Sequence, residues 1–373
     1  PHRFACDKRH IVDVGLDGGS MSQRTSQYEA GLDARVTAHL AAALAGDQHE
    51  FSGLTEPYRR ELQLHCYRIL GSLQDAEDTV QETLLRAWRK RNTFEGRASL
   101  RAWLYKIATN ACFDALDKRP RRVLPTAHSP AADPQQPFAP PITEPIWLEP
   151  YPDDLIDEPA AGPEARYSLH ESVSLAFLAA LQGLPPRQRA ALILCDVLDW
   201  RASEAATLLD ITISAVNSAL HRARVTMQRR YHAGGPNMMM SEPPAPDLQP
   251  LLERYVQVWE AADIDGLVNL LRQDATLSMP PLPDWYAGRD AIITAAQTKI
   301  FAGVTPGDAY GRWHMRPVRA NQQPGCAVYQ RDEAGVYRAF GISVLTVEQG
   351  QVIDIITFID PALFKRFDLP LEI

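Results

Sequence analysis

The 373-residue sequence has few cysteines, and their spacing suggests no pairing. Five is an odd number, and no two cysteines stand in a CxxC motif, so neither a disulfide framework nor a zinc site is indicated. We expect the thiols to be buried as small hydrophobic groups. The five positions are Cys6, Cys66, Cys112, Cys195 and Cys326.

Long apolar runs are also missing. No stretch of about 18 apolar residues occurs, so no transmembrane helix is expected. Residues 1–20 lack the apolar centre of a signal peptide, so a cytoplasmic protein without a membrane partner is expected. The sequence begins at Pro1, and Met21 is the expected natural start. Residues 1–32 are predicted to be a disordered extension.

Two segments each lack charged residues of one sign. Residues 123–165 contain eight acids and no Lys or Arg, whereas residues 211–241 contain four Arg and no acid. Between residues 84 and 122 there are eleven basic residues and three acids. The net charge of −8 does not itself indicate a nucleic-acid partner, but this separation predicts two basic segments that can face one.

The acidic segment is rich in proline and divides the chain. Its eleven prolines remove backbone donors and fix φ, which predicts a linker over residues 123–166 rather than a core. Helical periodicity flanks it over residues 33–122 and 167–232. A second linker is predicted at 233–246, where glycine and proline cluster. The last domain, 247–373, combines helices with four β-rich runs, and an α+β fold with a curved antiparallel sheet is expected. These runs are Arg312–Ala320, Cys326–Arg331, Arg338–Val347 and Val352–Ile359.

A helix over residues 75–91 is predicted to have two distinct faces. The apolar face should be buried and carries Ala76, Val80, Leu84 and Trp88. The other face surrounds a leucine with acids and an amide, a composition that suits a basic partner helix, although a solvated helix face has the same pattern. Its residues are Asp78, Gln81, Glu82 and Leu85.

The next predicted helix, residues 99–117, lies among basic residues. We expect Leu100, Trp103, Ile107 and Ala111 to be its buried face. Surrounding Lys and Arg side chains would attract phosphates in a salt-dependent way, and amide or aromatic groups can hold unstacked bases.

Residues 203–224 have the pattern of a helix–turn–helix. Asp210 occupies a turn position that requires positive φ, which Asp tolerates better than most residues. Ser214 is the expected cap of the second helix, and Val216 and Leu220 should face inward. The outward side chains would enter the major groove. They are Asn217, Ser218, His221, Arg222 and Arg224.

These segments together resemble the extracytoplasmic-function group of bacterial RNA polymerase sigma factors. The resemblance rests on Asp75-Ala-Glu-Asp-Thr-Val-Gln-Glu-Thr-Leu-Leu-Arg-Ala-Trp88, on Trp103-Leu-Tyr-Lys-Ile-Ala-Thr-Asn110, and on the helix–turn–helix. It implies an all-α region 2 bundle at 33–122 and a helix–turn–helix region 4 at 167–232. The implied function is promoter recognition and transcription initiation.

The resemblance also implies partners and contact residues. Core RNA polymerase would bind through its β′ clamp helices to Asp78, Gln81, Glu82 and Leu85, and its β flap would bind region 4. The −10 element of promoter DNA would meet Arg97, Arg101, Lys106 and Asn110. The −35 element would meet Ser214, Asn217, Ser218, His221, Arg222 and Arg224. In the linker, the acids that could imitate nucleic-acid charge in the polymerase cleft are Asp153, Asp154, Asp157 and Glu158; a solvated spacer is the alternative. No cofactor or metal is expected, and no anti-sigma partner is identified.

The last domain has an amphipathic helix at 251–259, a turn into a short helix at 261–267 and then the segment 274–288. This order resembles the cystatin-like, SnoaL-like cone of the polyketide-cyclase and nuclear-transport-factor superfamily. The resemblance implies a pocket for a small ligand, for which the aromatic candidates are Trp259, Trp285, Tyr286, His314 and Phe358. We expect this domain to regulate the sigma modules rather than to catalyse a reaction. Two alternatives remain at this point. One is a cyclase- or isomerase-like enzyme tethered to DNA, with Asp284, His314 and Asp354 as acid–base groups; the other is a repressor that does not bind polymerase.

Overall fold

The computed structural model describes residues 39, 41–94, 96, 99–144, 146–156, 172–233, 248–301 and 311–373. The predicted disordered extension therefore lies outside the described residues, as do residues 157–166 and 234–246 of the predicted linkers. Within the described ranges, no helix has the length and apolar character needed to cross a membrane.

The first of two units comprises the described residues up to Pro57 together with residues 88–94. Helix α1, Gln48–Thr55, begins where the Asp47 carboxylate accepts hydrogen bonds from the backbone N–H groups of His49 and Glu50. A 3₁₀ turn, Arg91–Thr93, follows Trp88. The Phe51 and Trp88 rings meet edge to face at 5.2 Å, which forms the apolar contact of this unit.

The second unit contains residues 58–87 and the described residues from 96 onward. Its first helices are α2, Arg59–Leu70, α3, Leu73–Arg89, whose last two residues belong to the first unit, and α4, Leu100–Leu116. Gly71 ends α2 in the left-handed region at φ 74°. Ser72 caps α3, because its hydroxyl accepts from the Asp75 N–H at 3.1 Å.

The buried face of α4 differs from the prediction. Leu100, Trp103 and Ile107 are half-buried, whereas Leu104, Tyr105, Ala108, Thr109 and Cys112 are buried together with Ala111. The reason is a polar contact inside the bundle, where His65 of α2 lies 2.9 Å from the Thr109 hydroxyl and its ring packs against Tyr105. Burial lowers the pKa of His65 to about 3, so this imidazole is neutral. A pattern based on apolar residues alone could not identify this face.

The helix–turn–helix forms in the predicted place. It follows α6, Leu175–Gln182, and α7, Pro186–Leu192, which continues as a π turn over Ile193–Val197. Its two helices are α8, Ala202–Leu209, and α9, Ile213–Ala233. Asp210 adopts the predicted left-handed conformation at φ 57°. The predicted cap is wrong, because the hydroxyl of Thr212, not Ser214, accepts the Ala215 N–H at 3.1 Å.

The last domain is a six-stranded sheet with helices on its inner face. Helices α10, Gln249–Glu260, α11, Ile264–Leu270, and α12, Arg289–Ala295, pack with the core, and a short α13, Ala362–Arg366, follows the sheet. The strand order is β2-β1-β6-β5-β4-β3, with only β1 and β6 parallel. The strands are β1 Leu271–Ser278, β2 Trp285–Ala287, β3 Trp313–Ala320, β4 Gln323–Arg331, β5 Tyr337–Glu348 and β6 Gln351–Phe358.

The four predicted β-rich runs correspond to β3–β6 and are confirmed. Strands β1 and β2 were not predicted, because β1 begins directly at the end of α11 and has polar residues at its centre, and β2 has only three residues. The unbroken α11–β1 junction gives no turn residue from which a strand could be recognised.

The prediction that residues 123–156 carry no core is wrong. Trp147, Leu148 and Tyr151 are buried, and a short helix, α5, Pro125–His128, precedes them. The Leu148 side chain packs against the backbone of Gly71 so closely that a Cβ at position 71 would lie within 2.6 Å of it. The described residues between 123 and 156, which we call the middle segment, contain short helical turns and pack against their neighbours.

Candidate nucleic-acid interface

A shallow groove runs along the exposed N-terminal half of α9. Val216, Ala219 and Leu220 are buried beneath it, so the intervening side chains point outward. Five of the six residues predicted to contact the −35 element line this one groove, together with the exposed Ile213. They are Ser214, Asn217, Ser218, His221 and Arg222. Amide, hydroxyl and imidazole groups can read base edges, and the guanidinium can bind a phosphate.

The structure does not place Arg224 with that set. Its guanidinium forms a two-pronged ion pair with Asp196, at 2.9 and 2.7 Å, beside the π turn. The ion pair raises the pKa of Arg224 and holds the side chain outside the groove.

A second exposed surface lies on α3. Asp78, Gln81 and Leu85 are exposed, and Leu85, at 51%, is one of four large apolar side chains exposed among the described residues. Glu82 is half-buried and pairs with Arg86 at 2.7 Å. The structure thus brings together, on one helix face, the four residues predicted to bind polymerase.

The residues predicted to contact the −10 element are only partly free. Arg97 lies outside the described residues. Arg101 pairs with Glu61 at 2.9 Å, and Lys106 reaches the Thr207 carbonyl of α8 at 3.4 Å. Asn110 is exposed.

The helix–turn–helix part covers one side of α4. Trp200, in the turn before α8, packs on Tyr105 with ring centroids 5.3 Å apart, and the Arg101 guanidinium lies 5.8 Å from the Trp200 ring. Together with the contact of Lys106, these interactions hold α4 against the turn and helix that precede α9. Neither Tyr105 nor Trp200 was identified from the sequence as part of this contact.

A polar junction joins four segments around Asn321, which lies at the β3–β4 hairpin and is fully buried. Its amide donates to the Tyr67 hydroxyl of α2 and to the Val173 carbonyl ahead of α6, both at 2.8 Å. Its side-chain oxygen accepts from the Tyr151 N–H, also at 2.8 Å. Burial raises the pKa of Tyr67, so its neutral hydroxyl both accepts from Asn321 and donates to the Glu149 carbonyl. The sequence contained no signal for this junction.

Acids of the middle segment take part in the same packing. Asp153 accepts from the Gln322 N–H at 2.7 Å and pairs with Arg319 at 3.1 Å. Its side chain is only 10% exposed, so the prediction that it imitates nucleic-acid charge is wrong. Asp154 is exposed, and Asp157 and Glu158 lie outside the described residues.

The same segment continues along the β2 edge of the sheet. The Trp285 indole donates to the Ser129 carbonyl at 2.8 Å, and the Ala132 N–H donates to the Trp285 carbonyl at 2.8 Å. Asp284 accepts from the Ala139 N–H at 2.8 Å. The alternative of a solvated spacer is therefore wrong for this stretch.

The five aromatic residues predicted to line a pocket do not converge. Trp259 and Tyr286 belong to the inner core, but Trp285 faces the middle segment. His314 pairs in register with Tyr329, and Phe358 with Ile342, on the sheet face opposite to the inner Val328 and Leu345. Asp284 precedes β2 and His314 lies on β3, at opposite edges of the sheet, so these two acid–base candidates do not form one site. Within the described ranges, no three His, Cys, Asp or Glu side chains are grouped as metal ligands would be.

Comparison with known families matches the three structural parts. Sigma-70 region 2 matches residues 54–122, Sigma-70 region 4 matches residues 174–227, and a SnoaL-like domain matches residues 252–355. These matches define a promoter-reading transcription initiation factor with a fused C-terminal domain.

Similarity to known proteins shows the family to which the chain belongs. The chain is 44% identical over 342 residues to the ECF RNA polymerase sigma factor SigG of Mycobacterium tuberculosis, covering 91% of this chain and 90% of that protein. It is 33% identical over 165 residues to SigE of Mycolicibacterium smegmatis, covering 43% of this chain and 52% of that protein. The crystal structure of the M. tuberculosis extracytoplasmic function sigma factor SigJ has the same fold, with a TM-score of 0.55 at 21% identity, covering 86% of this chain and 99% of that one. The chain belongs to the extracytoplasmic-function sigma factors of bacterial RNA polymerase, which direct promoter recognition and transcription initiation.

Proposed function

We propose that α3 binds core RNA polymerase through Asp78, Gln81, Glu82 and Leu85. The observation that supports this is the exposed Leu85 beside acidic and amide groups on one helix face. An apolar anchor with a charged rim is the composition of a protein interface. Core polymerase should co-elute with the native chain on a sizing column. Most of the Leu85→Ala, Asp78→Ala double variant should elute separately from polymerase. Gln74→Ala, exposed on the same helix, is the matched control, and equal losses in both variants would contradict the assignment.

The groove on α9 reads the −35 element, and α4 contributes to the −10 element. The support is the convergence of Ser214, Asn217, Ser218, His221 and Arg222 on one surface of a helix–turn–helix. On α4, Arg101, Lys106 and Asn110 would serve the −10 element once α8 has moved away, and Arg97 precedes them in the sequence.

The C-terminal domain restrains the sigma modules. Its β3–β4 hairpin is hydrogen-bonded to α2, to the middle segment and to the residues that precede α6, so it favours the arrangement in which α4 is covered. The −10 element needs that face, and the β′ clamp helices and the β flap would bind the two sigma modules at separate places. A covered state must therefore open, at a cost in apparent affinity. The full-length Asn321→Gly variant should therefore bind core polymerase more tightly. Gln322→Gly is the control, and unchanged or weaker binding by Asn321→Gly would show that the domain does not restrain.

The positions of the acid–base candidates do not support a catalytic function of the C-terminal domain. Asp284 is held by the backbone of the middle segment, and His314 lies 3.2 Å from Glu260 at the opposite edge of the sheet. The enzyme alternative would require these side chains to act at one site. If the native chain showed catalytic turnover and both the Asp284→Asn and the His314→Gln variants lost it, the enzyme alternative would be supported.

A further inference from the structure

The charges of the C-terminal domain are not evenly distributed. Residues 311–331, which contain β3 and β4, include four arginines and no acid. Residues 248–301 contain seven acids and four basic residues, and residues 332–373 contain seven acids and three basic residues. A basic hairpin in an otherwise acidic domain is the kind of patch that attracts a polyanion.

Two of these arginines lie on one face of the sheet. Arg316 lies two residues after His314 on β3, so the two side chains share the outer face, opposite to Trp313 and Met315 of the core. Arg331 belongs to the same face of β4, two residues after Tyr329, the register partner of His314. We call Arg316 and Arg331 the arginine stripe. Arg312 precedes β3, and its guanidinium lies 5.5 Å from the Trp313 ring. The fourth arginine, Arg319, is paired with Asp153 at the hairpin end.

Two acids that adjoin these strands have other partners. Glu260 accepts from the Met315 N–H and contacts His314, and Asp332 accepts backbone N–H groups of its own turn and pairs with Arg338. Arg316 and Arg331 are exposed, and no carboxylate among the described residues forms an ion pair with either. Arg316 instead lies over the Tyr329 ring at 5.7 Å.

We propose that the arginine stripe is a DNA-backbone contact, supplied by the C-terminal domain in addition to α4 and α9. Guanidinium groups match phosphate oxygens in geometry as well as charge. Arg331 lies four residues along β4 from Ala327, the register partner of Arg316. Four residues of β-strand extend about 13 Å, so Arg316 and Arg331 span about four nucleotides of a DNA strand, at about 3.4 Å each. Contacts of this kind are independent of sequence and position the protein on the duplex.

Salt dependence of DNA binding tests the proposal. Binding of a fluorescent random-sequence duplex by the full chain is measured across salt concentrations. In the Arg316→Gln, Arg331→Gln double variant, the slope of log affinity against log salt should become shallower by about 1 to 2, because each phosphate contact contributes about 0.9. Arg272→Gln, Arg338→Gln removes two charges that are already paired with acids and is the matched control.

The other outcomes distinguish the alternatives. Equal slopes in the two double variants, or no binding of duplex by the native chain at about 50 mM salt, would overturn the proposal. Loss of core polymerase binding without DNA would also overturn it, because the occupant would then be an acidic protein surface. Arg222→Gln on α9 separates this question from the sigma function. If only that variant lowers the slope, region 4 binds DNA and the stripe does not.

Discussion

A single buried amide connects four parts of this chain. Asn321 uses both amide hydrogens and its oxygen, and each partner is buried or part-buried among residues distant in sequence. A buried polar group is stabilising only when all its partners are present, since each unpaired partner then keeps its desolvation cost. Such a residue cannot be identified from its own sequence neighbourhood, because its partners at 67, 151 and 173 become neighbours only in the fold.

Removal of that amide should destabilise the protein. Asn321→Gly leaves the buried Tyr67 hydroxyl and the Tyr151 N–H without this partner, and glycine accepts the local φ of 57° without strain. The free energy of unfolding in urea should fall by about 1–3 kcal/mol. Gln322→Gly at φ 58° carries the same backbone entropy cost but removes no buried side-chain bond. Equal destabilisation by the two variants would assign the effect to the backbone alone.

Asp354 gives the domain a dependence on pH. Its carboxyl group accepts a hydrogen bond from Thr276 across the β1–β6 pair, and burial raises its pKa to about 6. The folded state thus holds the proton more tightly than the unfolded state. Stability should fall as pH rises from the usual carboxyl value of 3.8 to about 6 and stay lowered above that.

Asp354→Asn should remove this dependence. We expect the variant to be more stable than the native chain by about 1–2 kcal/mol at pH 7.5 and to show no gain below about pH 4. Urea unfolding at a series of pH values measures the difference. A gain of the same size at every pH would mean that proton uptake by Asp354 is not its cause.

At the scale of elements, the sequence predicted those whose signals are local. The helix–turn–helix follows from apolar spacing and from Asp210 at a left-handed turn, and β3–β6 follow from alternation. The wrong face of α4 and the packed middle segment have a common cause. Both depend on partners elsewhere in the chain, namely His65 for the Tyr105 face and the α2–α3 turn for Leu148.

The recognition helix α9 offers a matched pair of arginines. Arg222 lines the groove, whereas Arg224 is bound to Asp196 outside it. Arg222→Gln should weaken promoter binding by the polymerase complex several-fold and reduce its salt dependence. Arg224→Gln should have little effect, because exposed ion pairs contribute about 0–1 kcal/mol. Footprinting of the −35 region measures both, and a larger effect at Arg224 would require the groove to be reassigned.

At the scale of the whole molecule, the proposed restraint predicts that the covered face of α4 limits how readily the chain assembles with polymerase. Trp200 and Lys106 join α4 to the helix–turn–helix part, and the junction at Asn321 holds the same arrangement from another side. If only an opened chain is competent, the apparent affinity is reduced by the fraction that is open. Weakening the contact should therefore raise affinity although it removes an interaction.

Trp200→Ala tests this reasoning directly. The variant loses the ring contact with Tyr105 and the cation–π contact with Arg101. Each contact of these kinds stabilises a structure by about 0.5–1.5 kcal/mol. The open fraction, and with it the affinity for core polymerase, should rise by about three- to tenfold. X-ray scattering by the free chain should show a larger radius of gyration. Ser203→Ala, exposed on α8, is the control. A larger radius of gyration without tighter binding would mean that opening does not make the chain competent to bind polymerase. Tighter binding without a larger radius would place Trp200 in the polymerase interface itself.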